Sequence, residues 1–118
     1  MNELKTPDSI IAELVQIRAE ASKGVDAQYK AELKMAQAIL DLDLAEAKVL
    51  IEAQGTVMDR QAVAKLKTAD DRLQADIAKA EFNRVKTKMK VLEQAQMSVQ
   101  TQARLVELQW KSAGQGER

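Results

Sequence analysis

Gln54-Gly55-Thr56-Val57-Met58-Asp59 reads as a helix stop followed at once by a helix start. Glycine takes the left-handed backbone conformation that closes a helix C-terminus, and Thr56 with Asp59 three residues on has the spacing of a capping box. A tight turn over 55–58 is therefore expected, with one long segment before it and one after.

Upstream, Thr6-Pro7-Asp8-Ser9 has the composition of a helix N-terminus: Thr6 as cap, Pro7 where a missing N–H costs nothing, and Asp8 favourable to the dipole. Ile10, Leu14, Ile17 and Ala21 then recur in steps of four and three, one apolar stripe. Gly24 interrupts it and either kinks the helix or only weakens it. From Val25 the pattern resumes through Tyr29, Leu33, Ala36, Leu40, Leu44, Ala47 and Ile51, so a first arm spans 7–54.

Downstream, neither Pro nor Gly interrupts the chain between Val57 and Ser112, and a second arm is expected over 59–112. Leu66, Leu73 and Ile77 form one stripe. Ala78, Phe82, Val85, Met89, Leu92, Gln96, Val99, Ala103, Val106 and Trp110 then follow a heptad alternation with one polar member, Gln96. The offset between the two stripes resembles a stutter. Residues 113–118 read as a disordered polar tail. Two arms of similar length around a tight turn predict an all-α protein: a single helical domain over 1–118 forming a long antiparallel hairpin of coiled-coil type, kinked at Gly24 if that residue breaks the first helix.

Phe82, Trp110 and Tyr29 are the only aromatic residues, and Ala, Leu, Val, Ile and Met supply the rest of the apolar content, which suits narrow helix–helix seams. A two-helix hairpin buries little apolar area alone, so a homo-oligomer is expected, with Phe82, Val85, Met89, Leu92, Val99, Val106 and Trp110 as candidate oligomerisation residues. Trp110 is either a plug at the open end or an anchor for another subunit.

The sequence has neither Cys nor His, which removes the commonest nucleophile, general base and zinc ligands. A binding protein without cofactor or metal is expected, not an enzyme. The polar N-terminus lacks the apolar stretch of a secretory signal, and no apolar run approaches the ~20 residues that span a bilayer, so a soluble, cytoplasmic protein is expected.

Net charge is zero, yet residues 1–54 carry six Lys/Arg against ten Asp/Glu while 55–118 carry twelve against eight. Within the basic arm Arg84, Lys86, Lys88 and Lys90 occur without an acidic residue among them. Arg84 and Lys88 share one helix face, Lys79, Lys86 and Lys90 another, flanking the Phe82-Val85-Met89 seam. Such a segment either contacts a nucleic-acid backbone or pairs with the acidic arm. The uncharged stretch Gln94, Gln96, Ser98, Gln100, Thr101, Gln102 is a soluble surface or a set of hydrogen-bonding partners for phosphates and bases. The acidic groups Asp70, Asp71, Asp76, Glu81 and Asp41, Asp43, Glu46 read as charge-pairing positions, since Asp70 and Asp71 point to different helix faces.

Asp71, Leu73 and Asp76 within Asp71-Arg72-Leu73-Gln74-Ala75-Asp76, the aromatic Phe82, the long amphipathic helix and the closing Ala113-Gly114 resemble the UvsY family of phage recombination mediators over roughly the last fifty residues. The resemblance implies a non-enzymatic helper in a phage-infected bacterial cell. Such a helper assembles into a ring-like oligomer, binds single-stranded DNA and loads a RecA-like recombinase where a single-strand-binding protein would exclude it. By that analogy Arg84, Lys86, Lys88 and Lys90 contact phosphates. The alternative is a scaffolding, tail-assembly or chaperone-like coiled coil that binds only proteins, motivated by the zero net charge and the sustained heptads.

Overall fold

A computed structural model describes residues 6–116, with side chains to Gly114. Its three helices are α1 (Pro7–Glu52), α2 (Val57–Lys67) and α3 (Ala69–Gly116). The fold is all-α as expected, and the unit that contains the turn is an antiparallel helical hairpin. The chain divides into two compact units, one holding the described residues up to Asp26 with those from Thr87 onward, the other Ala27–Lys86.

The second unit contains the turn. Gly55 sits at φ 109°, the left-handed region that glycine tolerates, and Thr56 is the N-cap of α2. The Thr56 hydroxyl accepts from the Asp59 N–H at 3.2 Å while the Asp59 carboxylate accepts from the Thr56 N–H at 3.4 Å, completing the capping box. Helix α2 thus begins at Val57, two residues before the expected second arm. A further device closes the turn: α1 has no basic residue in its last turn, and Arg60 of α2 supplies one, donating from Nε to the Leu50 carbonyl at 3.1 Å and from Nη2 to the same oxygen. That carbonyl is among those a helix end leaves without an internal partner, and a guanidinium there also suits the negative end of the helix dipole.

The second arm is not one helix. Thr68, 1% exposed, separates α2 from α3. Its hydroxyl and its N–H both donate to the Ala64 carbonyl, at 2.6 and 3.0 Å. A threonine that bonds back to the carbonyl four residues earlier bends or interrupts a helix without any Pro or Gly. Asp70 and Asp71 then occupy the first turn of α3, where the dipole favours them. At its far end α3 continues to Gly116, so Ala113–Gly116 are helical where a disordered tail was expected. Glu117 and Arg118 lie outside the described residues.

Helix α1 runs unbroken through Gly24. Its start is capped as expected, Thr6 accepting from the Ser9 N–H at 3.2 Å and Ser9 Oγ from the Thr6 N–H at 3.0 Å. In the first unit Ile10 is buried and Leu14, Ile17, Ala21 and Gly24 are half-buried. The same alternation of four and three continues along the helix through Gln28, Ala31, Met35, Ala38, Leu42, Ala45 and Val49, all half-buried. This corrects the stripe expected beyond Gly24: Val25, Tyr29, Leu33, Ala36, Leu40, Leu44, Ala47 and Ile51 are exposed. Gly24 is therefore a member of the seam. A Cβ at this position would collide with Met89 Sδ, so the absent side chain is what seats Met89.

On the opposing strand of the hairpin the stripe Leu66, Leu73, Ile77 is likewise exposed, and the seam instead uses Ala64, Thr68, Ala75 and Ala78. These positions continue without offset into Phe82 and Val85, so there is no stutter. Alanines on both helices, alternating on α1 with Gln28, Met35, Leu42 and Val49, suit close helix packing. Two ion pairs mark the antiparallel register of this unit, Lys34–Glu81 and Arg72–Glu46, each at 3.1 Å. Both are half-exposed and fix register more than they stabilise.

Two stability measurements follow. Thr56→Ala costs about 1 kcal/mol in urea unfolding while Thr56→Ser costs much less, because only the hydroxyl is needed for the cap. Gly24→Ala raises stability by about 1 kcal/mol in a Met89→Ala background, the gain in helix propensity, and fails to raise it when Met89 is present.

Candidate nucleic-acid interface

The basic segment lies on α3, where Lys79, Arg84 and Lys86 belong to the second unit and Lys88 and Lys90 to the first. All five side chains are exposed. Phe82 and Val85 between them are half-buried, so the helix turns its apolar positions inward and leaves the cations outward. Lys86 folds over Phe82, its Nζ 5.5 Å from the ring centroid, within cation–π range. This contact holds the ammonium beside the helix without neutralising it.

Whether the acidic arm neutralises the segment is answered by the ion pairs. Among the described residues the two cross-hairpin pairs engage Lys34 with Glu81 and Arg72 with Glu46, and the third pair, Lys111 with Glu107, lies within α3. None engages Lys79, Arg84, Lys86, Lys88 or Lys90. Glu81, one of the acidic residues near the segment, is held by Lys34 from α1. Among the described residues no group of three or more carboxylates is placed to hold a metal ion, and no helix is long and apolar enough to cross a membrane.

Further along α3 in the first unit, Gln94, Ser98, Gln100 and Thr101 are exposed, whereas Gln96 and Gln102 are half-buried. The Thr101 hydroxyl donates to the Met97 carbonyl at 3.0 Å. Gln96 occupies the seam as its spacing predicts. Gln102 is the position that sequence reading placed in the soluble stretch and that the structure turns inward; its Oε1 is buried without a hydrogen-bond partner.

Of the residues assigned to oligomerisation, Phe82 and Val85 are half-buried in the second unit. In the first unit Met89, Leu92 and Val106 are half-buried and Val99 is buried at 6% exposure. Within the single chain these side chains line the hairpin's own seam. Trp110 differs: it is 64% exposed and, with Pro7, Ile10, Leu14 and Val106, lines an apolar groove of about 510 Å³. The core-plug reading of Trp110 is thereby excluded. The sequence signal for the cap Arg60, the break at Thr68 and the inward Gln102 is slight, because each depends on what lies opposite and not on local spacing.

Compared with protein-family models, curated proteins and solved structures, the chain matches none. The interface therefore rests on the chain's own residues.

Trp110 is the sole tryptophan in the sequence, so its fluorescence reports this groove alone. In dilute protein its emission is that of a solvent-exposed indole, readily quenched by acrylamide; a blue-shifted, protected emission at the same dilution contradicts the described exposure.

Proposed function

We propose that this protein is a non-enzymatic recombination mediator that binds single-stranded DNA through the basic segment of α3 and assists loading of a RecA-like recombinase against a single-strand-binding protein. One observation carries the reading: Lys79, Arg84 and Lys86 in the second unit and Lys88 and Lys90 in the first are exposed cations, and the described ion pairs leave them available for phosphates. The resemblance of residues 71–114 to the UvsY family supports the recombination context. Phe82 lies between these cations but is half-buried beneath Lys86, so contacts to the sugar-phosphate backbone dominate over base stacking. Binding of that kind tolerates sequence and responds to salt, which suits a protein that must release its DNA to another.

A second reading is a scaffolding or chaperone-like coiled coil that contacts only proteins. The observation favouring it is the exposed apolar stripe of α1 from Tyr29 to Ile51, which phosphate binding does not use.

Fluorescence anisotropy with a labelled single-stranded oligonucleotide separates the two. About five phosphate contacts give a log–log salt slope near −3.5, a loss of affinity on the order of 100-fold between 50 and 200 mM salt. The triple variant Lys86→Glu, Lys88→Glu, Lys90→Glu abolishes the signal with helicity unchanged by circular dichroism. Absence of binding at low salt rejects the mediator reading and leaves the protein-only one.

A further inference from the structure

Helix α1 carries two apolar faces. Within the second unit the inward one is Gln28, Ala31, Met35, Ala38, Leu42, Ala45 and Val49, in which alanine alternates with larger side chains. The outward one holds large apolar side chains: Tyr29, Leu33, Leu40, Leu44 and Ile51 are 63, 53, 49, 61 and 80% exposed, with Ala36 and Ala47 between them. At 100° per residue the outward stripe lies on the opposite side of α1 from the seam. A helix that is apolar on opposite sides packs on both.

The area suits a protein-sized partner. Five side chains of this size at these exposures leave roughly 600 Å² of apolar surface uncovered, which with the polar flanks approaches the ~800 Å² per partner of a standard interface. Isolated exposed leucines are ordinary on a protein surface; a continuous row of this extent is not.

The charges beside the stripe identify the occupant. Over residues 30–48, one flank carries Glu32, Asp43 and Glu46, all acidic. The other carries Lys30, Lys34 and Lys48, with Asp41 the exception. Two identical helices packed parallel bring each flank against the opposite flank of the partner, whereas antiparallel packing sets like flank on like. This helix therefore holds the complement of its own surface in one orientation only. Lys34 and Glu46 are already engaged across the hairpin, by Glu81 and Arg72. Lys30 with Glu32 of the second copy, and Lys48 with Asp43 of the second copy, remain for the interface.

We propose that the outer face of α1, Tyr29 to Ile51, docks on the same face of a second copy of this chain, parallel and in register. This rests on the homo-oligomer expected from the sequence and not on DNA binding. It relocates that association from the Phe82–Val106 seam to a different helix.

Cysteine cross-linking tests it on the full chain, which has no thiol of its own. Leu33→Cys and Ala47→Cys, made separately and oxidised, each form a disulfide with themselves in a parallel in-register pair. Both form about tenfold faster than a control Gln74→Cys, whose exposed side chain lies on α3. In an antiparallel pair centred on Leu40 neither cross-links alone, and only their mixture does. Light scattering on the unmodified chain gives a mass above that of one chain, and Leu33→Glu with Leu44→Glu reduces it to one chain with helicity retained, since both positions are exposed in the single chain. A monomer at high protein concentration overturns the proposal and the self-association beneath it, leaving DNA binding untouched. An oligomer in which Leu33→Cys and Ala47→Cys cross-link no faster than the control, or only with each other, overturns this face and orientation while self-association stands.

Discussion

Packing along an alanine-rich seam governs the turn-containing unit of this hairpin. Ala31, Ala38 and Ala45 of α1 lie on the side that packs against Ala64, Thr68, Ala75 and Ala78. Helices whose contact positions carry Ala or Thr can come nearer than helices separated by Leu or Phe, and the gain is backbone proximity and dispersion more than buried side-chain area. Burial is accordingly thin: the buried apolar residues are Ile10, Ala64, Ala75, Ala78 and Val99. Gly24 extends the same logic into the other unit, where it admits the thioether of Met89.

Thin burial shifts weight onto the helix ends and the turn. Arg60 caps a carbonyl of α1 from the following helix, Thr56 and Asp59 cap each other, and Thr68 spends its hydroxyl on the carbonyl that its own N–H already uses. These contacts add little apolar area. They fix where one helix stops and the next begins, and so which residues meet across the seam. The half-exposed ion pairs act the same way, setting register more than stability.

The seam also determines what is left for function. With that seam inside, the apolar row from Tyr29 to Ile51 of α1 and the cations of α3 are both outward, on different helices. A basic helix face and an apolar helix face serve different partners: phosphates attract at a distance and are screened by salt, whereas an apolar row acts only on contact and is not. The DNA binding and the self-association proposed for this chain would thus be physically separable.

The helical class, the turn at Gly55, the capping box at Thr56 and Asp59, the start at Thr6 and the seam from Ala78 to Val106 were legible in the residues, because each depends on local backbone preference or on unbroken periodicity. The basic segment was legible as composition. What stood beyond the sequence was the choice between competing stripes. In α1 both Gly24-Gln28-Ala31 and Val25-Tyr29-Leu33 keep helical spacing, and the second is the more apolar, so hydrophobicity alone selects it. Only the facing helix, with Ala64, Thr68, Ala75 and Ala78, makes the smaller set the inner one. The break at Thr68 and the reach of Arg60 to Leu50 followed the same rule. Sequence determined what each segment forms; the fit of two helices against each other decided which side of each faces in.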